Sequence, residues 1–323
     1  MRSVLVAAAL ALALALGPLS ARADHYVITP ESGDLVGAPQ TTVTRHEDTL
    51  IDIARRHGLG YEEIVNANPG VDPWLPGAGV EIELPKHRIL PMAVRRGIVV
   101  NLAEHRLYYF PPTRSGQDQE VFSFPVSIGR MDWHTPLGTT RIVQKIRNPS
   151  WHPPKSIREE HARKGDPLPA VVPGGPNNPL GLFAMRLGIP GGAYLIHGTN
   201  KPAGVGMQVT HGCMRLYPED IEELFGMVPV DTPVTIVNEP FKVGWQGGRL
   251  WVEVHPPLKE DVVEPPTLTE LTHLVVEATR QRMVPIDWAA VQRAFSEARG
   301  IAVPVTSAVP VQPEPAVTAA DNG

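Results

Sequence analysis

Proline and glycine punctuate this sequence so heavily that long helices are excluded over most of its length. Of 323 residues, 35 are proline and 29 glycine, about a fifth of the chain and above the usual share. Each proline fixes φ and removes a backbone donor, and each glycine inside a helix or strand costs conformational entropy. The chain therefore reads as turns, ordered loops and short strands rather than a helix bundle. From Arg96 onward, "GIVVNL" and "RLYYF" are β-rich runs separated by the turn-like "AEH". "EVFSFPVSIG" (120–129) is a strand pair or a bent strand, and "TPLGTTRIVQKI" (135–146) a turn followed by a strand. "AYLIHG" (193–198) is a short buried strand ending at a histidine, and "TPVTIV" (232–237) is another strand. Only "PEDIEELFGMV" (218–228) is clearly helical, with Ile221, Leu224 and Phe225 on one face. This pattern predicts a mainly β domain over residues 96–238.

Residues 41–86 predict a separate small module. Val43 lies in a short β-like piece, and Asp48 is placed to cap a helix whose Leu50, Ile53 and Ala54 share one face. Gly58 fits its end. A second short helix covers Tyr61–Ala67, "NPG" (68–70) is a turn, and "VEIEL" (80–84) alternates as a half-buried strand does. Residues 24–40 read as a linker. Beyond the β domain, residues 239–300 predict a C-terminal extension. It holds a hairpin turning at Gly247-Gly248 and two helices, the second opened by Asp287. Residues 301–323, rich in Pro, Val, Ala and Thr, have little to bury and read as a disordered tail.

Residues 1–23 have the form of a cleaved signal peptide. Arg2 gives a short basic start, Val4–Leu16 is almost unbroken Val, Leu and Ala, and Ala21-Arg22-Ala23 fits a small-x-small cleavage site. The apolar run is short of the roughly 20 residues a bilayer needs, and no later stretch spans one. This predicts export of the mature protein from the cytoplasm, without a transmembrane segment. The formal charge of −5 opposes generic binding to nucleic acid or anionic lipid. In an oxidising compartment the single cysteine, Cys213, has no partner in its own chain. A reactive role explains such a thiol better than a structural one.

The surroundings of Cys213 suit that role. A thiol attacks a carbonyl as the thiolate, and an ordinary pKa near 8.5 leaves little of it at neutral pH. A neighbouring histidine can remove the proton. His211 is two residues away in "THGCMRL", where local geometry rarely aligns the two groups. His197, ending a strand 16 residues upstream, can meet Cys213 across neighbouring strands and is the preferred base. Gly212 lets the backbone approach a substrate, and the N–H groups of Gly212 and Cys213 are candidates for an oxyanion hole. Arg215 carries a planar fork suited to a carboxylate. Trp151, in a proline-flanked loop, is a candidate pocket wall. The charged stretch 148–179 (Lys155, Arg158, Arg163 and Lys164 beside Glu159, Glu160 and Asp166) reads as a solvated loop, or as a lid over the Cys213 cleft. A zinc site from His197, His211 and Cys213 is disfavoured, since His134, His152 and His161 show no ligand spacing.

"HGTN…THGCMRL", with "TPLGTTRI" and "NPSWHPP", resembles the L,D-transpeptidase catalytic domain (YkuD type) of the kind exported by Gram-negative bacteria. "NEPFKVGWQGGRLWVEVHPP" resembles the extension those members carry. "EDTLIDIA" and "NANPGVDPWLPGAG" make residues 41–86 similar to a LysM domain, a module that binds peptidoglycan glycans. The resemblance implies an L,D-transpeptidase-like β-sandwich or barrel with a short helix after the Cys motif, a small βααβ LysM-like domain, and a C-terminal hairpin with helices. It implies Cys213 as nucleophile and His197 as base, with the Gly198 carbonyl orienting the ring. Thr210, His211, Gly212 and Arg215 match supporting positions, Thr210 replacing a commoner serine. The implied reaction is acyl transfer through a Cys thioester, from the L-centre of meso-diaminopimelate in a tetrapeptide stem to an amine. The products are 3→3 cross-links, or a lipoprotein attached through its terminal lysine. No metal or cofactor is implied. Two alternatives remain open in sequence: a hydrolase on the same fold (an L,D-carboxypeptidase or a lipoprotein-releasing amidase), and a non-catalytic peptidoglycan-binding protein.

Overall fold

The computed structural model describes residues 23–130, 134–190, 194–258, 264–282 and 284–307. The expected signal peptide, save Ala23, and the tail from 308 onward lie outside the described residues. In chain order the first elements are β1 (Asp24–Ile28), β2 (Leu35–Val36), β3 (Gln40–Val43), α1 (Leu50–Arg56), α2 (Tyr61–Ala67), β4 (Glu81–Leu84) and β5 (Arg88–Ile89). Then follow β6 (Gly97–Asn101), β7 (Arg106–Phe110), β8 (Gln119–Pro125), β9 (Ile128–Gly129), β10 (Gly138–Arg147), α3 (Lys155–Arg163), β11 (Phe183–Leu187) and β12 (Leu195–His197). After a 3-10 turn (Pro202–Gly204) come β13 (Gln208–Thr210), β14 (Met214–Arg215), α4 (Pro218–Met227) and β15 (Pro233–Val237). The chain closes with β16 (Phe241–Gln246), β17 (Arg249–Val254), α5 (Leu268–Thr279), α6 (Trp288–Glu297) and β18 (Val303–Pro304).

A nine-stranded sheet in the order β1-β8-β7-β6-β15-β10-β11-β12-β14 organises the mainly β domain. The β6–β15 and β12–β14 pairs are parallel and the rest antiparallel. One face of it, with Ile98, Phe124, Ile142, Met185, Ile196 and Met214, packs against Ile221, Leu224 and Phe225 of α4. Burial of this apolar stripe is what fixes the helix that follows the Cys motif.

Residues 24–40 are not a linker. Asp24–Ile28 pairs with β8 along its whole length, and Leu35–Val36 pairs with β5. The cause is visible in "DHYVI", whose burial alternates residue by residue as an edge strand's does.

The N-terminal module has the order β3-α1-α2-β4 around Leu50, Ile53, Leu59, Ile64, Ile82 and Leu84. Its first helix is capped by Thr49, not Asp48: the Thr49 hydroxyl accepts from the Asp52 N–H at 3.1 Å, and the Asp52 carboxylate accepts from the Thr49 N–H. Asp48 instead accepts from the Arg45 N–H (2.8 Å) and from Arg56 (2.7 Å).

The module is clamped to the nine-stranded sheet. Glu63 of α2 is buried against Arg106 (2.6 Å) and Arg88 (2.9 Å), and Asp24 adds longer contacts to both. The Tyr61 and Glu62 N–H groups donate to the Val205 and Gly206 carbonyls at 3.0 and 3.2 Å. Tyr217 Oη donates to the Leu59 carbonyl, and Arg55 pairs with Glu219 through two bonds of 2.9 and 3.0 Å.

The extension is the hairpin β16–β17, with α5 and α6 packed on it through Leu271, Val275 and Val291. Asp287 caps α6 by accepting from the Ala290 N–H at 2.9 Å. Within the expected disordered tail, residues 301–307 are ordered against the extension: Val303–Pro304 pairs with β17, and Val305 is fully buried in this second core. Beneath the hairpin, Lys242 Nζ is wholly buried and donates to Glu104, to the Ile89 carbonyl (2.6 Å) and to Glu253 (2.8 Å). A lysine thus fills the one grouping of Glu104, Glu253 and His255 that has cation-ligand spacing among the described residues.

Candidate active site

The Cys motif is a turn between two short strands, and its shape follows from its residues. Gly212 has φ +89°, a left-handed conformation that strains any residue with a Cβ. Two hydroxyls hold the turn's carbonyls. Thr210 Oγ1 donates to the Cys213 carbonyl (2.5 Å), and Thr135 Oγ1 to the Gly212 carbonyl (3.2 Å). The Arg130 N–H donates to the Thr210 carbonyl, and β13 pairs with β9.

Strand register then sets what faces what. β12 and β14 run parallel with Ile196 opposite Met214 and His197 opposite Arg215. Ile196 and Met214 are fully buried on the α4 side. Alternation puts Leu195, His197, Cys213 and Arg215 on the other face. Continuing through β11 and β10 gives two rows across the sheet. One is Gln144, Arg186, Leu195 and, one step back along the parallel register, Cys213; the other is Ile146, Ala184, His197 and Arg215. His197 and Cys213 are diagonal cross-strand neighbours on one face, a backbone spacing of roughly 7–8 Å that side chains span.

His197 is 4 % exposed. Its Nδ1 donates to the Gly198 carbonyl at 2.6 Å, which leaves Nε2 as the unprotonated nitrogen of the neutral ring. Gly198 has no room for a side chain, since a Cβ there would lie 2.9 Å from Ile221 of α4. Burial, reinforced by the charge of Arg215, lowers the His197 pKa to about 3, against weaker opposition from the Gly198 and Leu180 carbonyls. Burial raises the Cys213 thiol, with partial offset from the Leu195 backbone and the Arg215 charge. Both shifts favour the uncharged forms, a thiol and a neutral imidazole. Arg215 is itself largely enclosed, and its Nε is buried without a hydrogen bond.

Cys213 opens onto a cavity of about 640 Å³. His211 and Trp151 line it with the thiol, as do Leu195, Tyr194 and Ile157. Trp151 is pinned by paired backbone bonds of 2.8 Å with Val172. Neither His197 nor Arg215 is among the described residues that line it. The stretch 148–179 lies against the cleft. It forms α3, and its charges are not merely solvated: Glu160 accepts from Arg130 (2.7 Å) and Lys164 (2.7 Å) and meets His211 Nε2 at 3.3 Å. These donors hold the Glu160 carboxyl well below the usual carboxylate range. Burial lowers His211, with Glu160 opposing. His197, His211 and Cys213 do not gather their ligand atoms as a metal requires among the described residues.

Sequence reasoning missed Arg186, Gln144 and Tyr194, which also line the cavity. The signal was strand alternation through "FAMRL", where Met185 and Leu187 face the core and Arg186 alone is exposed. It missed Arg130 because nothing in sequence links it to residue 160.

Known proteins share this architecture. The L,D-transpeptidase catalytic domain of the YkuD family matches residues 95–236. The chain is 42% identical over 271 residues to the Escherichia coli protein named "Probable L,D-transpeptidase YcfS", covering 82% of each chain. It is 42% identical over 243 residues to E. coli "Probable L,D-transpeptidase ErfK/SrfK", covering 74% of this chain and 76% of that one. Against E. coli "Probable L,D-transpeptidase YbiS" it is 40% identical, covering 74% and 77%. With a mainly β catalytic domain and a lone cysteine set in the turn before β14, the chain belongs to the L,D-transpeptidase family.

Proposed function

We propose that this enzyme is exported to the periplasm and there transfers peptidoglycan acyl groups through a thioester on Cys213. The observation that carries the reading is the placement of Cys213 and His197 on one sheet face beside the cavity, with the imidazole oriented by the Gly198 carbonyl. His197 Nε2 takes the thiol proton as sulfur attacks the carbonyl at the L-centre of diaminopimelate. The N–H groups of Gly212 and Cys213 stabilise the oxyanion. On collapse the bond to D-alanine breaks, and its amine leaves with the proton from His197. An incoming amine then attacks the thioester, gives its proton to His197, and releases the sulfur. With a second stem's diaminopimelate the product is a 3→3 cross-link; with a lipoprotein's terminal lysine it is an anchored lipoprotein. The LysM-like module would hold the enzyme on the glycan, through a surface that includes the exposed Trp74 and Leu75.

Incubation with purified tetrapeptide muropeptides, with and without a lysine-ended peptide, tests this by mass spectrometry. The expected result is D-alanine release and an acyl-enzyme mass on the native protein, absent from Cys213→Ala. Full turnover by Cys213→Ala would refute the nucleophile, and water as the sole acceptor would make the enzyme a hydrolase.

A further inference from the structure

We infer that Arg186 is the specificity residue for the acyl donor. It binds the distal, D-centre carboxylate of the diaminopimelate whose L-centre carbonyl Cys213 attacks. This deepens the transpeptidase reading and rests on it.

Three observations converge. The first is position. Arg186 stands in the same cross-sheet row as Leu195 and Cys213, on the face that lines the cavity. Two inter-strand steps separate it from the nucleophile, about 10 Å between backbones. From the attacked carbonyl carbon to the distal carboxylate, a diaminopimelate residue spans about six bonds, roughly 7 Å extended. An arginine side chain covers the remaining gap.

The second is charge. Arg186 is the only permanently charged group among the described residues lining the cavity, and no carboxylate lines it. The guanidinium forms no ion pair among the described residues, so no protein carboxylate occupies its fork. An exposed cation at the edge of an otherwise uncharged cavity, without an internal counter-ion, favours an anionic ligand.

The third is the contrast with Arg215. That residue lies beyond His197 in the other row, outside the cavity lining and largely enclosed. Its charge acts on His197 and Cys213, whereas Arg186 lines the cavity itself. Arg186 presents the planar fork that matches a carboxylate through two bonds, from a strand position paired with Leu195.

The test is the first half-reaction alone, with no acceptor amine present, so that donor and acceptor recognition are not confused. Three tetrapeptide stems are compared: one with diaminopimelate, one with its D-centre carboxylate amidated, and one with lysine in its place. D-alanine release and acyl-enzyme mass are followed for the native protein, Arg186→Gln and Arg186→Lys. The native enzyme is expected to prefer the free carboxylate by about tenfold or more in kcat/KM, as a lost charge-assisted bond implies. Arg186→Gln should bring the ratio to within about twofold, and Arg186→Lys should retain part of it. The substrate series with native enzyme needs no variant to fold: equal rates on all three stems overturn the assignment. So does an undiminished preference in Arg186→Gln. Failure of the native enzyme to acylate with any stem overturns the transpeptidase reading itself, and the assignment with it.

Discussion

Replacing Glu63 by alanine should show that the N-terminal module is part of the folded enzyme rather than a tethered accessory. Glu63 is 9 % exposed and accepts from Arg106, which is fully buried, at 2.6 Å and from Arg88, 4 % exposed, at 2.9 Å. Its other oxygen accepts from the Gly60 N–H at 2.7 Å, the orphan donor at the start of α2. Removing one partner of a buried pair typically costs about 3–5 kcal/mol, because the remaining charge cannot return to water. Asp24 stays within 3.5 and 3.7 Å of the two guanidiniums and moderates that loss towards the lower end. The lost cap contact adds about 1 kcal/mol. The sum is about 4 kcal/mol, a large share of the 5–15 kcal/mol by which domains are stable. At about 2–4 °C per kcal/mol for a unit of this size, the melting temperature falls by roughly 8–16 °C. Urea unfolding followed by tryptophan fluorescence, with the thermal melt alongside, measures both. The expected curve for the variant is a shifted single transition at unchanged slope. A loss below about 1 kcal/mol, or a first transition that unfolds the module and leaves the catalytic domain at native stability, would refute the clamp. The same physics predicts that deleting residues 41–85 damages the catalytic domain itself, since Arg88 and Arg106 would be stranded.

Two further expectations concern the site's charges. The unfolded chain binds a proton at His197 near pH 6.5, whereas the folded ring does so only at about 3. The stability it contributes is therefore complete above pH 6.5 and is lost progressively as pH falls towards 3, about 2 kcal/mol of it between pH 7 and 5. His197→Gln should narrow the pH 7 to pH 5 difference in urea unfolding by that amount, and identical differences in both proteins would contradict the ring's burial. Arg215 lowers both His197 and Cys213. Arg215→Gln should therefore raise both, slowing alkylation of Cys213 by a small reagent at pH 8 severalfold while the imidazole resonance titrates at higher pH; movement in opposite directions would defeat this assignment.

The parts of the fold that carry strong local signals were legible in sequence. β-rich runs such as "RLYYF", the helical face of Ile221, Leu224 and Phe225, and Asp287 as a cap all depend on neighbours within a few residues. What failed depended on distant partners. Asp24–Ile28 has only the short run Tyr26-Val27-Ile28 to announce a strand, and it is held as one by pairing with the edge of β8, far along the chain. Val303–Pro304 is ordered by β17 in the same way. At the site, Cys213 and Gly212 stood out because their chemistry is local: one thiol, and one turn needing positive φ. Arg186 was invisible because an arginine in a strand has no special local meaning. It acquires one only when β10, β11 and β12 are laid side by side and the row ends at the sulfur.

That layout divides the work between two cations that sequence alone would treat alike. Arg215 sits opposite His197, where its charge favours a thiolate but disfavours an imidazolium. For the ion pair these two effects oppose each other, and burial, the larger cause at both groups, favours the proton on sulfur. A thiol that ionises only as a carbonyl arrives is protected from oxidation and stray electrophiles, because the thiolate is the reactive form. Proton transfer must then be driven by the substrate, through a carbonyl held where the developing oxyanion meets donors. An anchor about two strands from the sulfur, fixed on sheet rather than loop, is what holds that carbonyl in place. Positioning of this kind contributes to the rate only if the anchored group is part of the correct donor. A site with a neutral nucleophile thus obtains its selectivity and its activation from the same distant contact.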